Sequence, residues 1–323
     1  MALKRTLYVI DNSNFCYKFK SVYTYAHTDV SGIELDTSVL VGYLRALKQN
    51  IATDICIVLD GVPKASLDLL PSYKGHRSKE DSNTIGVPRL EVIHFLTGIG
   101  KILNKNIFVV CAPCQEADQV ISSIVHLITG NTPRRKSLLD TVNTIPLNQD
   151  RVLRYLDGNV TVEKPDFSDY DSVIIGTTDS DMHQLLRYDN VFMDSSTSGK
   201  AVYRDKTPKA VHHLNPNAMI IYKAIFGDDS DNVPALSLKN KEAIIKWLDK
   251  NITTRDDVDR FIEDVDNGLK YNSLTQAIIT SGQKRGFMRN LAVVKLDYYS
   301  EPIMVTCPSY NVLETIEKYG LKV

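Results

Sequence analysis

No uncharged apolar run in these 323 residues nears the ~18 that span a bilayer. The apolar stretch after Met1–Arg5 breaks at Asp11, too short for a signal-peptide core with a cleavage site. Cysteine is scarce and odd in number: Cys16, Cys56, Cys111, Cys114 and Cys307. A disulfide-stapled secreted domain is therefore excluded, and free thiols in a reducing cytoplasm are expected. Cys111-Ala-Pro-Cys114 has redox or half-zinc spacing, but no second such pair and no nearby His accompany it. The two read as packing residues at a strand end. Excess charge is also missing, since 38 Lys+Arg face 39 Asp+Glu for a net −1. That excludes a uniformly basic nucleic-acid binder, but not a basic groove beside an acidic site. The ordinary 43% hydrophobic and 24% charged content fits a soluble globular chain of one large domain or two.

Short β-rich runs recur at Thr6–Ile10, Asp54–Leu59, Asn106–Cys111 and Ser172–Ile175. Between them lie helical patterns at Thr37–Lys48, Leu90–Leu103 and Glu116–Ile128, with a short helix expected at Asp181–Arg187. Strands separated by helices give βαβ units, hence an α/β fold with a mostly parallel sheet. Asn190–Asp194 and Ala201–Arg204 are placed to form a hairpin. Thr129–Asp171 is a long polar insertion with a basic run at Arg134–Lys136 and a helix candidate at Asp150–Leu156. A boundary is expected near residue 207. From Pro216 the pattern reads helical to the end of the chain, through Ala218–Phe226, Asn240–Asp249, Asp256–Asp264, Leu274–Ile279 and Arg289–Lys295.

Acids fall repeatedly at strand exits, where open parallel sheets bind their ligands. Asp11 ends the first strand and Asp60 follows the second; Glu116 and Asp118 follow the third, Asp179 and Asp181 the fourth. Asp228 and Asp231 lie in the turn Gly227–Asn232. Positions i and i+2 diverge on a helix, so Glu116 is expected in capping geometry with Asp118 in the first turn. Asp179 and Asp181 share a face if that stretch is extended. Asp228 and Asp231, at i and i+3, meet on one helical turn. A single strand-exit Asp is ordinarily a helix cap. Converging carboxylates are different: a pair ~4 Å apart repels by about 4 kcal/mol at an effective dielectric of 20. Oxygen-only donors select hard ions such as Mg²⁺ or Mn²⁺, and a pair of such ions suits in-line displacement at phosphorus. Tyr73-Lys74-Gly75-His76-Arg77 follows Asp60 and supplies a basic, glycine-interrupted element beside these acids.

The ordered set Val9-Ile-Asp11, Leu59-Asp60-Gly61, Tyr73–Arg77, Glu116-Ala-Asp118, Thr178–Asp181, Gly227–Pro234 and Asn290–Asp297 resembles the flap endonuclease / 5′→3′ exonuclease family. The resemblance spans roughly Leu7 to Asp297 and is most similar to phage members of the T-even ribonuclease H type. It implies a PIN-like nuclease domain over residues 1–207, with a helical arch at about 73–95. A helical duplex-binding region would follow over residues 208–323, with a helix–three-turn–helix motif at about 218–250. Asp11, Asp60, Glu116 and Asp118 match ligands of a tighter metal, and Asp179, Asp181, Asp228 and Asp231 those of a second. Lys74 and Arg77 match catalytic basic residues at the base of the arch, and Tyr73 an aromatic that stacks on a base. The implied cofactors are two Mg²⁺, with Mn²⁺ as substitute.

The implied substrates are DNA with a 5′ flap or nick, and RNA paired to DNA. The implied setting is DNA replication and repair by a monomer, in the host cytoplasm for a phage-encoded chain. Its partners would be a single-strand-binding protein, a sliding clamp and a polymerase. One departure concerns the glycines that in the family follow Ser-Asp-Asn-x-Pro and hold K⁺: here Ala235-Leu-Ser-Leu-Lys239 stands instead. Lys239, Lys241 and Lys246 are the candidates to replace those backbone contacts with phosphate. The insertion and the arch, which lacks an apolar stripe, also depart. Two alternatives remain: a PIN-type single-strand ribonuclease, which needs neither the helical region nor Asp228 and Asp231, and a non-catalytic replication accessory protein. A haloacid-dehalogenase-like phosphatase fits less well, because Asp11-Asn-Ser13 lacks the second acid of its nucleophile motif.

Overall fold

The computed structural model describes residues 5–17, 32–50, 52–61, 63–75, 98–112, 115–130, 161–195, 202–203, 212–296, 302–306, 313 and 317. In chain order these form β1 (Thr6–Asp11), α1 (Gly32–Gln49), β2 (Asp54–Val58), α2 (Lys64–Leu69), β3 (Asn106–Cys111) and α3 (Ala117–Thr129). Next come β4 (Thr161–Glu163), β5 (Ser172–Gly176), a 3₁₀-helix (Ser180–Arg187), β6 (Val191–Asp194) and β7 (Val202–Tyr203). The remainder is α4 (Pro216–Phe226), a 3₁₀ turn (Asp229–Asp231), α5 (Lys241–Asn251), α6 (Arg255–Asp266), α7 (Ser273–Thr280), α8 (Lys284–Val294) and β8 (Ile303–Thr306).

The sheet order is β4-β8-β3-β2-β1-β5-β6-β7. Strands β3, β2, β1, β5 and β6 pair in parallel, which gives the α/β core expected of near-continuous apolar runs. β1 and β2 are buried along almost their whole length, as strands covered on both faces must be. From β1 the chain builds outward to β2 and β3, then returns to β1's other side for β5. The topological switch point therefore lies between β1 and β5, where such sheets open a crevice at their carboxyl ends. Val120, Ile121, Ile124 and Val125 of α3 pack on the sheet with Val9, Val58, Val110 and Ile175. β6 and β7 form the expected antiparallel hairpin.

Helices α4 to α8 enclose a second core. α4 is largely apolar and is buried from Asn217 to Ile225, the pattern of a helix at the centre of a cluster rather than on its surface. It packs on α8, on the 3₁₀-helix and on α5 and α6, and so joins the helical region to the sheet. Asn290, fully buried on α8, donates to Ala224 O at 3.1 Å and to Pro234 O at 2.6 Å, which ties the end of α4 to the segment beyond the acidic turn.

The expectation of helix to the end of the chain is corrected. Ile303–Thr306 is a strand that pairs antiparallel with β3 and with β4. β4 lies inside the polar insertion. An unpaired β3 edge would leave backbone donors and acceptors open, and β8 closes it. Of the other expectations, Arg77, Cys114, Arg134–Lys136, Asp150–Leu156, most of Leu90–Leu103 and the boundary near 207 lie outside the described residues. Among the described residues no helix is long and apolar enough to cross a membrane.

Candidate active site

The strand exits bring the acids to one edge. Asp11 is the last residue of β1, and its Oδ1 accepts from Asn14 N at 3.0 Å. Asn14 Oδ1 in turn accepts from Thr178 N and Thr178 Oγ1, at 2.9 and 2.8 Å, so the exits of β1 and β5 are laced together. Asp60 Oδ1 accepts from Ala117 N at 2.8 Å and so caps the start of α3. Gly61 N donates to Gln115 O at 2.7 Å, and a Cβ at Gly61 would meet that oxygen at 2.6 Å. Glycine is required where these two exits touch.

Glu116 is the extended N-cap of α3 (φ −77°, ψ 160°) and Asp118 lies in its first turn, the geometry their spacing demands. The helix N-terminus favours negative charge there. Asp179 is also extended, and its Oδ1 accepts from Asp181 N at 2.9 Å. Asp181 is not extended, however. It sits in the first turn of the 3₁₀-helix, because Asp179 acts as the cap that starts that helix.

Asp228 caps the 3₁₀ turn and Asp231 is its last residue. Asp228 pairs through its backbone with Val233, and its Oδ1 accepts from Ser230 N at 2.9 Å. Gly227 makes the turn possible, with φ +74° and only 2.2 Å between a built Cβ and Val233 O. The turn docks on the Tyr73 segment: Lys74 N donates to Asp231 O at 3.0 Å, and Asn232 Nδ2 donates to Ser72 O at 2.7 Å.

Two lysines knit the acids together. Lys74 Nζ lies 2.5 Å from Glu116 Oε1 and 3.7 Å from Asp231 Oδ1. Lys223 Nζ contacts Asp181 Oδ1 and lies 2.5 Å from Asp228 Oδ2. Each ammonium thus joins an acid of the sheet edge to an acid of the helical region. Among the described residues no three Asp, Glu, His or Cys side chains close on a common point, and the two ammoniums stand between the carboxylates instead. Lys223 is the functional candidate that sequence reasoning missed. Its signal was a lone cation inside the apolar run Ala218–Phe226, five residues before Asp228.

The electrostatics reflect this crowding. Burial, with Asp60 and Asp179 as like-charged neighbours, pushes Asp11 up to about 8. Burial and the charges of Glu116, Asp179 and Asp60 hold Asp118 well above the ordinary carboxylate range. Burial raises Glu116 as well, against the pull of Lys74. Burial works against the Lys74 ammonium, but Glu116, Asp118 and Asp231 hold it above the ordinary lysine value. Asp228 falls below the usual range despite its burial, because Lys223 and Ser230 stabilise its charge. The donors are all carboxylate oxygens, the chemistry that hard divalent cations select, so the residue types present fit such ions.

Tyr73 is the residue expected to stack on a base. It is only 4% exposed and belongs to the helical core. Its hydroxyl lies 2.9 Å from Glu116 Oε2 and 3.0 Å from Asp231 Oδ2. Lys239 and Lys246 are exposed. Lys241 lies with its ammonium 4.9 Å from the Phe226 ring centroid and 5.6 Å from that of Tyr222.

No protein-family model matches this sequence, and no curated protein matches it either. Solved structures do match. One is the 5′-exonuclease of bacteriophage T5 with divalent zinc bound, with a TM-score of 0.54 and 19% identity over 91% of this chain and 91% of that one. Another is the bacteriophage T5 flap endonuclease in a pseudo-enzyme–product complex with DNA and metal ions. It has a TM-score of 0.53 and 20% identity over 91% of this chain and 90% of that one. Over 91% of its length, this chain therefore has the fold of the phage T5 flap endonuclease and 5′-exonuclease.

Proposed function

We propose that the protein is a metal-dependent, structure-specific 5′ nuclease that hydrolyses phosphodiesters at or near a 5′ end. The observation that supports this reading is that acids from the exits of β1, β2, β3 and β5 lie along one edge of the sheet, with Asp228 and Asp231 linked to that edge through Lys223 and Lys74. The T5 neighbour solved with DNA and metal ions supports it through the shared fold. Asp11, Asp60, Glu116 and Asp118 would hold one divalent ion, and Asp179, Asp181, Asp228 and Asp231 the other; Mg²⁺ is the natural choice and Mn²⁺ a substitute. When bound, the pair supplies a lowered pKa for water and stabilisation of the leaving 3′-oxygen.

The chain's own groups do the rest. Lys74 exchanges Glu116 and Asp231 for the scissile phosphate and neutralises charge that grows on its oxygens. Arg77 acts on a flanking phosphate. Tyr73 keeps Glu116 and Asp231 in place through its hydroxyl. Lys239 and Lys246, with the α4–α5 region as the helix–three-turn–helix, grip the duplex backbone by shape rather than by sequence. Substrates are DNA flaps and nicks, and RNA primers paired to DNA during replication. The linkage of the Asp228–Asp231 turn to the sheet acids through Lys74, Lys223 and Tyr73 favours this reading over a single-strand PIN ribonuclease, which has no use for that turn.

The test is a 5′-labelled flap substrate incubated with and without Mg²⁺. Release of the intact flap only with Mg²⁺ is expected. Binding without cleavage, or cleavage of single-stranded RNA alone, would overturn the proposal.

A further inference from the structure

The two lysines of the site are placed differently. Lys74 approaches from a surface turn, whereas Lys223 is 5% exposed and sits within the buried helix α4. Its ammonium contacts Asp181 Oδ1 and lies 2.5 Å from Asp228 Oδ2. Those carboxylates come from opposite halves of the site, one from the 3₁₀-helix after β5 and the other from the turn after α4.

Three charges buried this close are mutually dependent. An ammonium removed from water needs anionic partners, and two buried carboxylates need a cation. In the arrangement observed, one lysine meets both needs. A divalent ion held by Asp181 and Asp228 would satisfy the same two carboxylates and would repel the ammonium between them. Ion and lysine therefore compete for one place. The lysine is equipped to give way, because its charge rides on a flexible four-carbon stem.

We propose that Lys223 is a resident counter-ion for the second acid group. Its ammonium holds Asp181 and Asp228 together in the ion-free protein, and a divalent ion must displace it. Lys223 thereby lowers the affinity of the second ion and keeps the helical region docked on the sheet until that ion arrives. The proposal rests on the two-ion reading above and adds to it a reason why the two sites differ in strength.

Calorimetric titration with Mn²⁺ alone, without nucleic acid, tests it. Wild type is expected to bind one ion tightly and one weakly. In Lys223→Met, which keeps the length and loses the charge, the weak site should tighten by about tenfold or more, as removal of an adjacent like charge requires. The melting temperature in chelator should fall, and Mn²⁺ should restore it. Lys223→Arg, which keeps the charge, should bind the second ion as weakly as wild type. An unchanged or weakened second site in Lys223→Met overturns the counter-ion role. Absence of any Mn²⁺ binding by wild type overturns the two-ion reading itself, so the two failures are distinct. If Lys223→Met does not fold, a crystal of wild type soaked in Mn²⁺ decides the matter. Displacement of Lys223 Nζ from between Asp181 and Asp228 is expected, and an ion bound there with the ammonium still in place overturns the proposal.

Discussion

The Tyr73 hydroxyl lies 2.9 Å from Glu116 Oε2, so a core aromatic holds the N-cap carboxylate of α3 from behind. The contact links the helical core, to which the Tyr73 ring belongs, with the acidic edge of the sheet. Tyr73→Phe keeps the ring and removes only the oxygen. Hydrogen bonds to charged groups contribute about 1.5–3 kcal/mol, and a stability loss of that order is expected in denaturant unfolding. Single-turnover cleavage should slow, because Glu116 and Asp231 lose their shared support. Wild-type stability and rate in Tyr73→Phe would return the residue to a base-stacking role, which phenylalanine performs equally well.

Asp118→Asn should remove nearly all cleavage while flap binding, measured by anisotropy in Ca²⁺, stays within a few fold of wild type. The side chain is held far above its ordinary pKa by burial and by three neighbouring acids, and the substitution relieves that repulsion. The variant is therefore expected to be at least as stable as wild type in chelator, and a loss of stability there would contradict the crowding argument.

The ion-free protein should lose stability as pH rises from about 6.5 to about 8. Asp11 is pushed up to about 8 in the fold, against about 3.9 in an unfolded chain. Between those values the folded state binds the extra proton, so its stabilising effect is full at low pH and disappears as pH climbs through the folded value. His183 acts in the opposite sense: burial lowers its pKa, so its effect is confined to pH below about 7. Urea unfolding in chelator at pH 6.5 and pH 8 measures the slope. Mg²⁺ should raise the midpoint most at pH 8, since deprotonated carboxylates bind the ion more tightly and an ion bound only to the folded state stabilises it by RT ln(1 + [ion]/Kd). A stability that is level or rising over this window would contradict the assignment.

Lys239→Ala/Lys246→Ala should flatten the dependence of log affinity for duplex on log salt by about 1.8, at about 0.9 for each phosphate no longer neutralised. Lys241→Ala should act differently. Its ammonium already lies against Phe226 and Tyr222, and it should cost fold stability as well as affinity. An unaltered slope in the double variant would exclude this face from phosphate binding.

The sequence by itself determined the parallel core and most of the acidic edge. Apolar runs such as Asp54–Val58 have only one way to bury both faces, and an acid placed directly after each run must arrive where the strands end. The i, i+2 spacing of Glu116 and Asp118 even determined which is the cap and which begins the helix. Tertiary structure alone decided the rest. Ile303–Thr306 became a strand because β3 had an open edge, a partner no local period can announce. Lys223 reads as an interruption in an apolar helix until Asp181, 42 positions earlier, is brought to its ammonium. Tyr73 became internal for the same reason, since the docking of the Asp231 turn rather than any local pattern set its burial. Local chemistry marks which groups can act, and only long-range packing, through the charges it forces together, decides which of them meet.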